Sequence, residues 1–364
     1  MTSAPFAERH DVAPLADEAP ARPRLLRAVG PGRGHVAISD ADVTQAAQVA
    51  VEHFNAARSP EVAADDPWAE AGRKILRFHL SRMLARVPGT IAGEDPEEVH
   101  AMRVASRRIR AGWRVFGDAF ERPVVRDHVR QLRLIGAQLG QVRDLDVQIA
   151  ILAESRERRS KRERLALTPM LDDWTAQRAL RHGELVDRLR SAWFTGFVDD
   201  YEALLMTPGA GARPVDPHTP ATVRMRASAV SWEAYQAVWA FEPALPEADV
   251  ATLHDLRIAI KWLRYSLEFL REPIEPQATE LIRRVVALQD QLGDIHDYHA
   301  AAERARATAA SSTALRPGQL AAIQRFVDAK EVRVERLHRR LGPTWRGVAD
   351  ADYRRRLGRS LARL

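Results

Sequence analysis

Two stretches of this chain carry the same layout 154 positions apart, and that recurrence limits what the chain can fold into. The first is residues 99–120. At ~100° per residue, Met102, Ala105, Ile109, Trp113, Phe116 and Phe120 share one helix face. His100, Arg103, Arg107, Arg110 and Arg114 share an arc about 80° wide on the other. The helix start is also written out, with Asp95 as N-cap, Pro96 at the first helical position and Glu98 to close a capping box. The second stretch is residues 253–270. There His254, Arg257, Lys261 and Arg264 take the places of His100, Arg103, Arg107 and Arg110, above an apolar face of Leu256, Ala259, Leu263, Leu267 and Leu270. Glu268 stands where Arg114 would, so the second stripe is shorter or ends in a salt bridge.

A solvated helix face mixes acids and bases, because like charges one turn apart repel. Neither the five residues of the first stripe nor the four of the second include a carboxylate. Such a stripe repels itself unless an anion lies along it. The formal net charge of +6 points the same way, toward anionic partners. Only four basic residues are lysine (Lys74, Lys161, Lys261 and Lys330), and arginine binds phosphate through a bidentate fork. An Arg-rich composition also follows from a GC-rich genome, so the stripes and not the ratio carry the argument.

The chain has no cysteine, which removes disulfides, thiolate zinc sites and thiol catalysis and fits a reducing compartment. No apolar run approaches the ~20 residues that span a bilayer, and no signal-peptide core is present, so a cytoplasmic protein without a membrane partner is expected.

Residues 1–66 read as a Pro-rich tail and linker with one short helix over 40–58. Asp66 and Pro67 open a helix through about Ala85. The central helix follows, then a helix from Pro123 to about Leu139 bearing Arg126, Arg130 and Arg133. Gly140 is expected to cap it, with a new helix running toward Leu167 and another from Thr168 to before Pro208. Residues 207–220 form a turn-rich linker. Helical periodicity resumes over about 221–241, 247–271, 275–292, 295–312 and 317–341, and residues 346–364 read as a basic tail. No alternating β-branched runs appear, so the chain is expected to be all-α, with two similar halves at 67–206 and 221–345. The repeat extends further: Leu292-Gly293-Asp294-Ile295-His296-Asp297 matches residues 139–144 at an offset of 153, as Arg283 matches Arg130.

His-x-x-Arg-Val-x-x-Arg-Arg-x-Arg at 100–110, its partner at 254–265 and the two Leu-Gly-x-x-x-Asp segments resemble the CHAD family, the conserved-histidine α-helical domain, over roughly residues 67–345. The resemblance implies two four-helix bundles related by a pseudo-twofold axis, with a basic channel or groove between them. It also implies binding of inorganic polyphosphate without catalysis, a place on polyphosphate granules and granule-associated proteins as further partners. Carried onto this chain, the ligand-lining candidates are His100, Arg103, Arg107, Arg110, His254, Arg257, Lys261 and Arg264. Arg114 extends the first stripe, and Arg130, Arg143, Arg283 and His296 join from neighbouring segments, His296 standing where Arg143 does. No cofactor or resident metal is expected. Histidines near pKa ~6.5 would protonate beside phosphate and tighten binding as pH falls.

Three other readings compete. A phosphate-processing enzyme is disfavoured because the Glu-x-Glu-x-Lys strand of the triphosphate tunnel domain, to which some family members are fused, does not occur here. Asp144, Asp146, Asp294 and Asp297 with His296 and His299 could hold a metal, but Asp–Arg pairing inside a bundle is the simpler expectation. Histidine-based metal binding through His100 and His254 is opposed by the arginine three residues after each. Nucleic-acid binding lacks aromatic residues interleaved on the basic face, although Trp262 and Tyr265 lie near the second stripe.

Overall fold

The computed structural model describes residues 39–54 and 58–364. The chain divides into two units, residues 1–35 and 36–364, and all the described residues belong to the second. Residues 1–38 of the expected tail and linker lie outside the described residues. The described residues are all-α: they contain no β-strand, only the isolated bridges Pro67–Thr222 and Phe120–Ala212. None of their helices is long and apolar enough to cross a membrane.

The helices that matter for the site are α2 (Trp68–Leu84), α4 (Pro96–Phe116), α5 (Arg122–Glu157), α10 (Val250–Phe269) and α11 (Gln277–Ser311). Before them, α1 (Asp40–Phe54) and α3 (Val87–Ala92) complete the start of the domain. Between α5 and α10 run α6 (Lys161–Ala166), α7 (Thr168–Leu189), α8 (Ala192–Met206) and α9 (Val223–Trp239). After α11 come α12 (Pro317–Arg339), α13 (Leu341–Ala349) and α14 (Ala351–Leu361). Helix α4 packs on α2, α5 and α10, while α11 packs on α10, α12 and α5. The two long helices therefore flank the two striped ones.

The expected apolar face is buried at all five positions on α4 from Met102 to Phe116 and at all five from Leu256 to Leu270 of α10 and its cap, while Phe120 is buried too but lies beyond the end of α4 on extended backbone. The main core is continuous across both sequence halves, from Val43 to Leu361, so the halves do not carry separate cores. A second, smaller core joins Leu145 and Leu152 of α5, Met170 and Trp174 of α7, Ala301 and Ala305 of α11 and Phe326 of α12. It clamps the distal ends of the two long helices.

Several sequence expectations change. Gly140 does not cap a helix: α5 runs unbroken for 36 residues and α11 for 35 through Gly293. A glycine inside a helix costs ~1 kcal/mol. The buried faces on either side, Leu132, Ile135 and Leu139 before and Val142 and Leu145 after, offset that cost. Asp95 caps α4 as expected, accepting from Glu97 N at 2.9 Å, but Glu98 closes no capping box and instead takes Arg86 at 3.0 Å. Helix α2 begins at Trp68 and Asp66 makes no cap bond to it, because its carboxylate is held by Lys74 at 2.8 Å.

Residues 346–364 are not a tail. They complete α13 and form α14, where Tyr353, Leu357 and Leu361 are buried. The 207–220 segment is pinned rather than loose: Glu121 N donates to Gly211 O at 2.8 Å and Arg213 N to Ala119 O at 2.9 Å. Buried Arg73 adds bonds to the carbonyls of Leu204 and Ala210.

Candidate functional site

Helices α4 and α5 run antiparallel, since Arg110 approaches Gly136, Arg103 approaches Gly140, and Arg143 reaches Glu97. The two glycines lie one turn apart and leave a strip of α5 without side chains. The guanidinium groups of Arg110 and Arg103 lie over it, each 3.6 Å from where a Cβ would stand. Packing of α10 and α11 against this pair encloses a cavity of about 650 Å³.

The burial of Met102, Ile109 and Trp113 turns the opposite face of α4 into this cavity, where His100, Arg103, Arg107 and Arg110 line it. Helix α10 contributes Arg257 and Lys261, α5 contributes Arg133, Arg143 and Asp144, and α11 contributes His296 and Asp297. Seven basic side chains thus face one space with two carboxylates.

The pairing is uneven. Arg103 donates to Asp144 at 2.8 Å and Arg143 to Glu97 at 3.2 Å. Arg107, Arg110, Arg133, Arg257 and Lys261 have no salt bridge among the described residues, and all but Arg133 are half-buried. The Nε atoms of Arg107 and Arg257 are buried without any hydrogen-bond acceptor. A buried donor normally finds a partner, so two orphans on cations in one cavity mark a place built for an external acceptor.

Protonation equilibria report the same strain. Burial, followed by the neighbouring Arg257, Arg107 and Arg103, pushes the Lys261 ammonium down to about 7. Burial and then Arg257 lower His296 to about 4, and burial and then Arg143 lower His100. Burial also lowers Arg110 and Arg257 and raises Asp297, the last opposed by Arg257. The expectation that histidines titrate near their ordinary value does not hold for His100 and His296. The cavity group poised near neutrality is Lys261.

The structure brings eight of the thirteen sequence candidates to the cavity: His100, Arg103, Arg107, Arg110, Arg143, Arg257, Lys261 and His296. Five lie elsewhere. Arg114 is exposed and stacks over the Trp262 ring at 4.1 Å. His254 is exposed, its ring 5.4 Å from that of His296. Arg264 is held by Glu268 at 2.7 Å, so the second stripe does end in a salt bridge. Arg283 is exposed and bound by Glu280 at 2.7 Å, and Arg130 is exposed beside Asp127. The reason is rotation: spacing sets a residue's angle on its own helix, whereas neighbouring helices decide which part of that arc is covered.

Sequence reasoning passed over Arg133. It was visible beside Arg126 and Arg130, but only the antiparallel alignment of α5 with α4 selects it. Asp144 and Asp146, weighed as metal ligands, are taken by Arg103 and by Arg178 at 2.9 Å. Among the described residues no three His, Cys, Asp or Glu side chains converge to hold a metal ion.

Comparison with known proteins agrees with this architecture. The solved CHAD domain from the plant Ricinus communis superposes with a TM-score of 0.62 at 22% identity, over 77% of this chain and 93% of that one. PptA from Streptomyces chartreusis superposes with a TM-score of 0.62 at 18% identity, over 77% of this chain and all 100% of that one. At these identities the likeness is one of fold. No curated protein matches the chain. A family model described as the CHAD domain matches residues 74–306, well over half the sequence, and the chain therefore belongs to the CHAD domain family.

Proposed function

We propose that this protein binds inorganic polyphosphate in the cavity between α4, α5, α10 and α11, without turning it over, and that this binding docks it in the cytoplasm on polyphosphate granules. One observation carries the reading: five cations without ion-pair partners among the described residues share a single cavity, two of them with orphaned buried donors. A linear polyanion relieves their mutual repulsion and supplies the missing acceptors, with charge-assisted bonds stronger than neutral ones. From His100 to Arg110 the α4 stripe covers roughly 15 Å, enough to engage several phosphates at once.

Nucleic acid fits less well. The cavity lining holds no Phe, Tyr or Trp on which a base could stack. Trp113 and Phe116 are in the core, and Trp262 is covered by Arg114. The reading of binding without catalysis is supported by Ser106, the one hydroxyl lining the cavity, which donates to the Arg103 carbonyl at 2.9 Å rather than to a base.

The test is a calorimetric titration with long-chain polyphosphate at two salt concentrations, with duplex DNA and orthophosphate as controls. Tight, salt-sensitive binding to polyphosphate and far weaker binding to DNA is the expected result. Equal affinity for both would reduce the cavity to generic electrostatics, and no binding to any of the three would overturn the reading.

A further inference from the structure

The cavity is not the same at its two ends. Toward the C-terminal end of α4 it is walled by Arg107, Arg110 and Arg133, none of which has a carboxylate partner among the described residues. Beyond that mouth the basic track continues outside. Arg114 lies one turn past Arg110 and is exposed, and Arg126, two turns out from Arg133 on α5, is exposed and paired with Asp127 at 3.4 Å. Stacking on Trp262 orders the Arg114 guanidinium without neutralising it.

Toward the N-terminal end of α4 the sign reverses. Arg103 and Arg143 are held by Asp144 and Glu97. Asp297 faces Arg257 there. Immediately past them lies a second cavity of about 590 Å³, sharing Arg143 and Asp297 with the first. Its charged lining is otherwise Glu97, Asp146, Glu154 and Asp294. A polyanion that advanced along the basic wall would meet five carboxylates, of which Glu97, Asp146 and Glu154 are paired with Arg143, Arg178 and Arg158, while Asp294 and Asp297 have no ion-pair partner among the described residues.

We infer that the site is one-ended: an inorganic polyphosphate chain enters at the Arg110–Arg133 mouth, and its terminal phosphate stops among Arg103, Arg257, Lys261 and His296, short of the carboxylates of the second cavity. The inference rests on the polyphosphate reading of this site and adds its direction and the part of the ligand recognised. The chemistry suits a chain end. A terminal phosphate carries close to two negative charges near neutral pH and offers three terminal oxygens, where an internal unit carries one charge and two free oxygens. The buried, acceptor-free Nε of Arg257 and the unpaired ammonium of Lys261 are thereby matched to the most highly charged unit of the chain. Continued threading would place singly charged units beside the unpaired carboxylates Asp294 and Asp297, a like-charge contact with no ion pair to compensate it.

Stoichiometry separates an end-binding site from one that takes a chain side-on. The intact protein is titrated with two size-fractionated polyphosphates, one some tens and one some hundreds of phosphates long, and the copies bound per chain are measured by calorimetry and sedimentation. End capture gives about two copies per chain at either length, one at each terminus. Copies that rise with chain length overturn the inference and leave the polyphosphate reading intact. No binding at either length removes both.

The triple variant Glu97→Gln/Glu154→Gln/Asp294→Asn neutralises three solvent-accessible carboxylates of the second cavity. The stop should then be lifted and the long chain should carry more copies than the short one. A variant that still saturates at two copies on both chains would show that the carboxylates do not form the stop, and would overturn that part of the inference.

Discussion

Helices α4 and α10 carry the same stripe in sequence and use it differently in space. Each turns its first arginine and the next basic residue into the cavity, Arg103 and Arg107 from α4 and Arg257 and Lys261 from α10. The third position divides them. Arg110 lines the cavity without an ion-pair partner among the described residues, whereas Arg264 is bound by Glu268, which also accepts from Arg108 of α4 at 3.0 Å. One carboxylate, placed where α4 has Arg114, thus closes the second stripe and ties the two helices together. A repeated motif fixes where cations begin, and a single local acid decides where they stop.

The largest effect is expected from breaking both stripes at their unpaired centres. Arg107→Ala/Arg257→Ala removes the two cations with orphaned donors, each replaceable only by a bond worth about 1.5–3 kcal/mol. Polyphosphate affinity should fall by roughly a hundredfold or more, while thermal stability holds or rises because buried repulsion is relieved. Titration together with a melting curve checks both, and a loss of folding would mean that these arginines are structural. In the intact protein the salt dependence should be steep, with about a thousandfold loss between roughly 50 and 200 mM salt if about six phosphates are neutralised.

Protonation sharpens the contrast at the second basic position of the two stripes. Where α4 carries Arg107, α10 carries Lys261, which sits at about 7 in the folded protein against about 10.5 unfolded. The unfolded chain binds more protons between these values, so stability should rise with pH from about 7 to 10.5 and be lowest and flat, for this group, below 7. Ligand binding returns the proton, so affinity should drop by about fivefold from pH 7 to pH 8. Lys261→Arg should flatten both profiles, as measured by titration and chemical unfolding across that range.

Glu268→Gln tests the carboxylate that separates the helices. It releases Arg108 and Arg264, and affinity should tighten by about twofold to fivefold through added positive potential within a Debye length. Folding stability should drop by about 1.5–3 kcal/mol as two charge-assisted bonds weaken. The smallest effect belongs to Arg283→Ala. That side chain is exposed and paired with Glu280, so affinity should change less than about twofold and stability by under about 0.5 kcal/mol.

Much of this was legible in the chain. The apolar faces of α4 and α10 were readable because helical periodicity fixes which residues share a face before any neighbour is known, and all ten of those positions are buried. Other features were not. Gly140 reads locally as a helix stop, yet the chain passes through it because apolar contacts on both sides hold α5 together and Arg103 occupies the space above it. Residues 346–364 look basic and therefore solvated, but Tyr353, Leu357 and Leu361 supply a buried face spaced for a short helix. Arg133 and Arg130 are indistinguishable by type or spacing, and only the register of α5 against α4 puts one in the cavity and leaves the other outside.

The sequence by itself determined that the protein is all-α, that two of its helices carry carboxylate-free basic stripes, and which faces of those helices are apolar. These follow from intrahelical geometry, in which 3.6 residues per turn relate every side chain to its neighbours on one axis. The tertiary structure alone decided that the stripes share one cavity, that its cations are unpaired at one end and matched by carboxylates at the other, and that Glu268 closes the second stripe. Those depend on how separate helices are rotated and aligned against each other. That alignment is set by the packing of apolar side chains far apart in sequence, so the charge pattern of either helix alone could not reveal it.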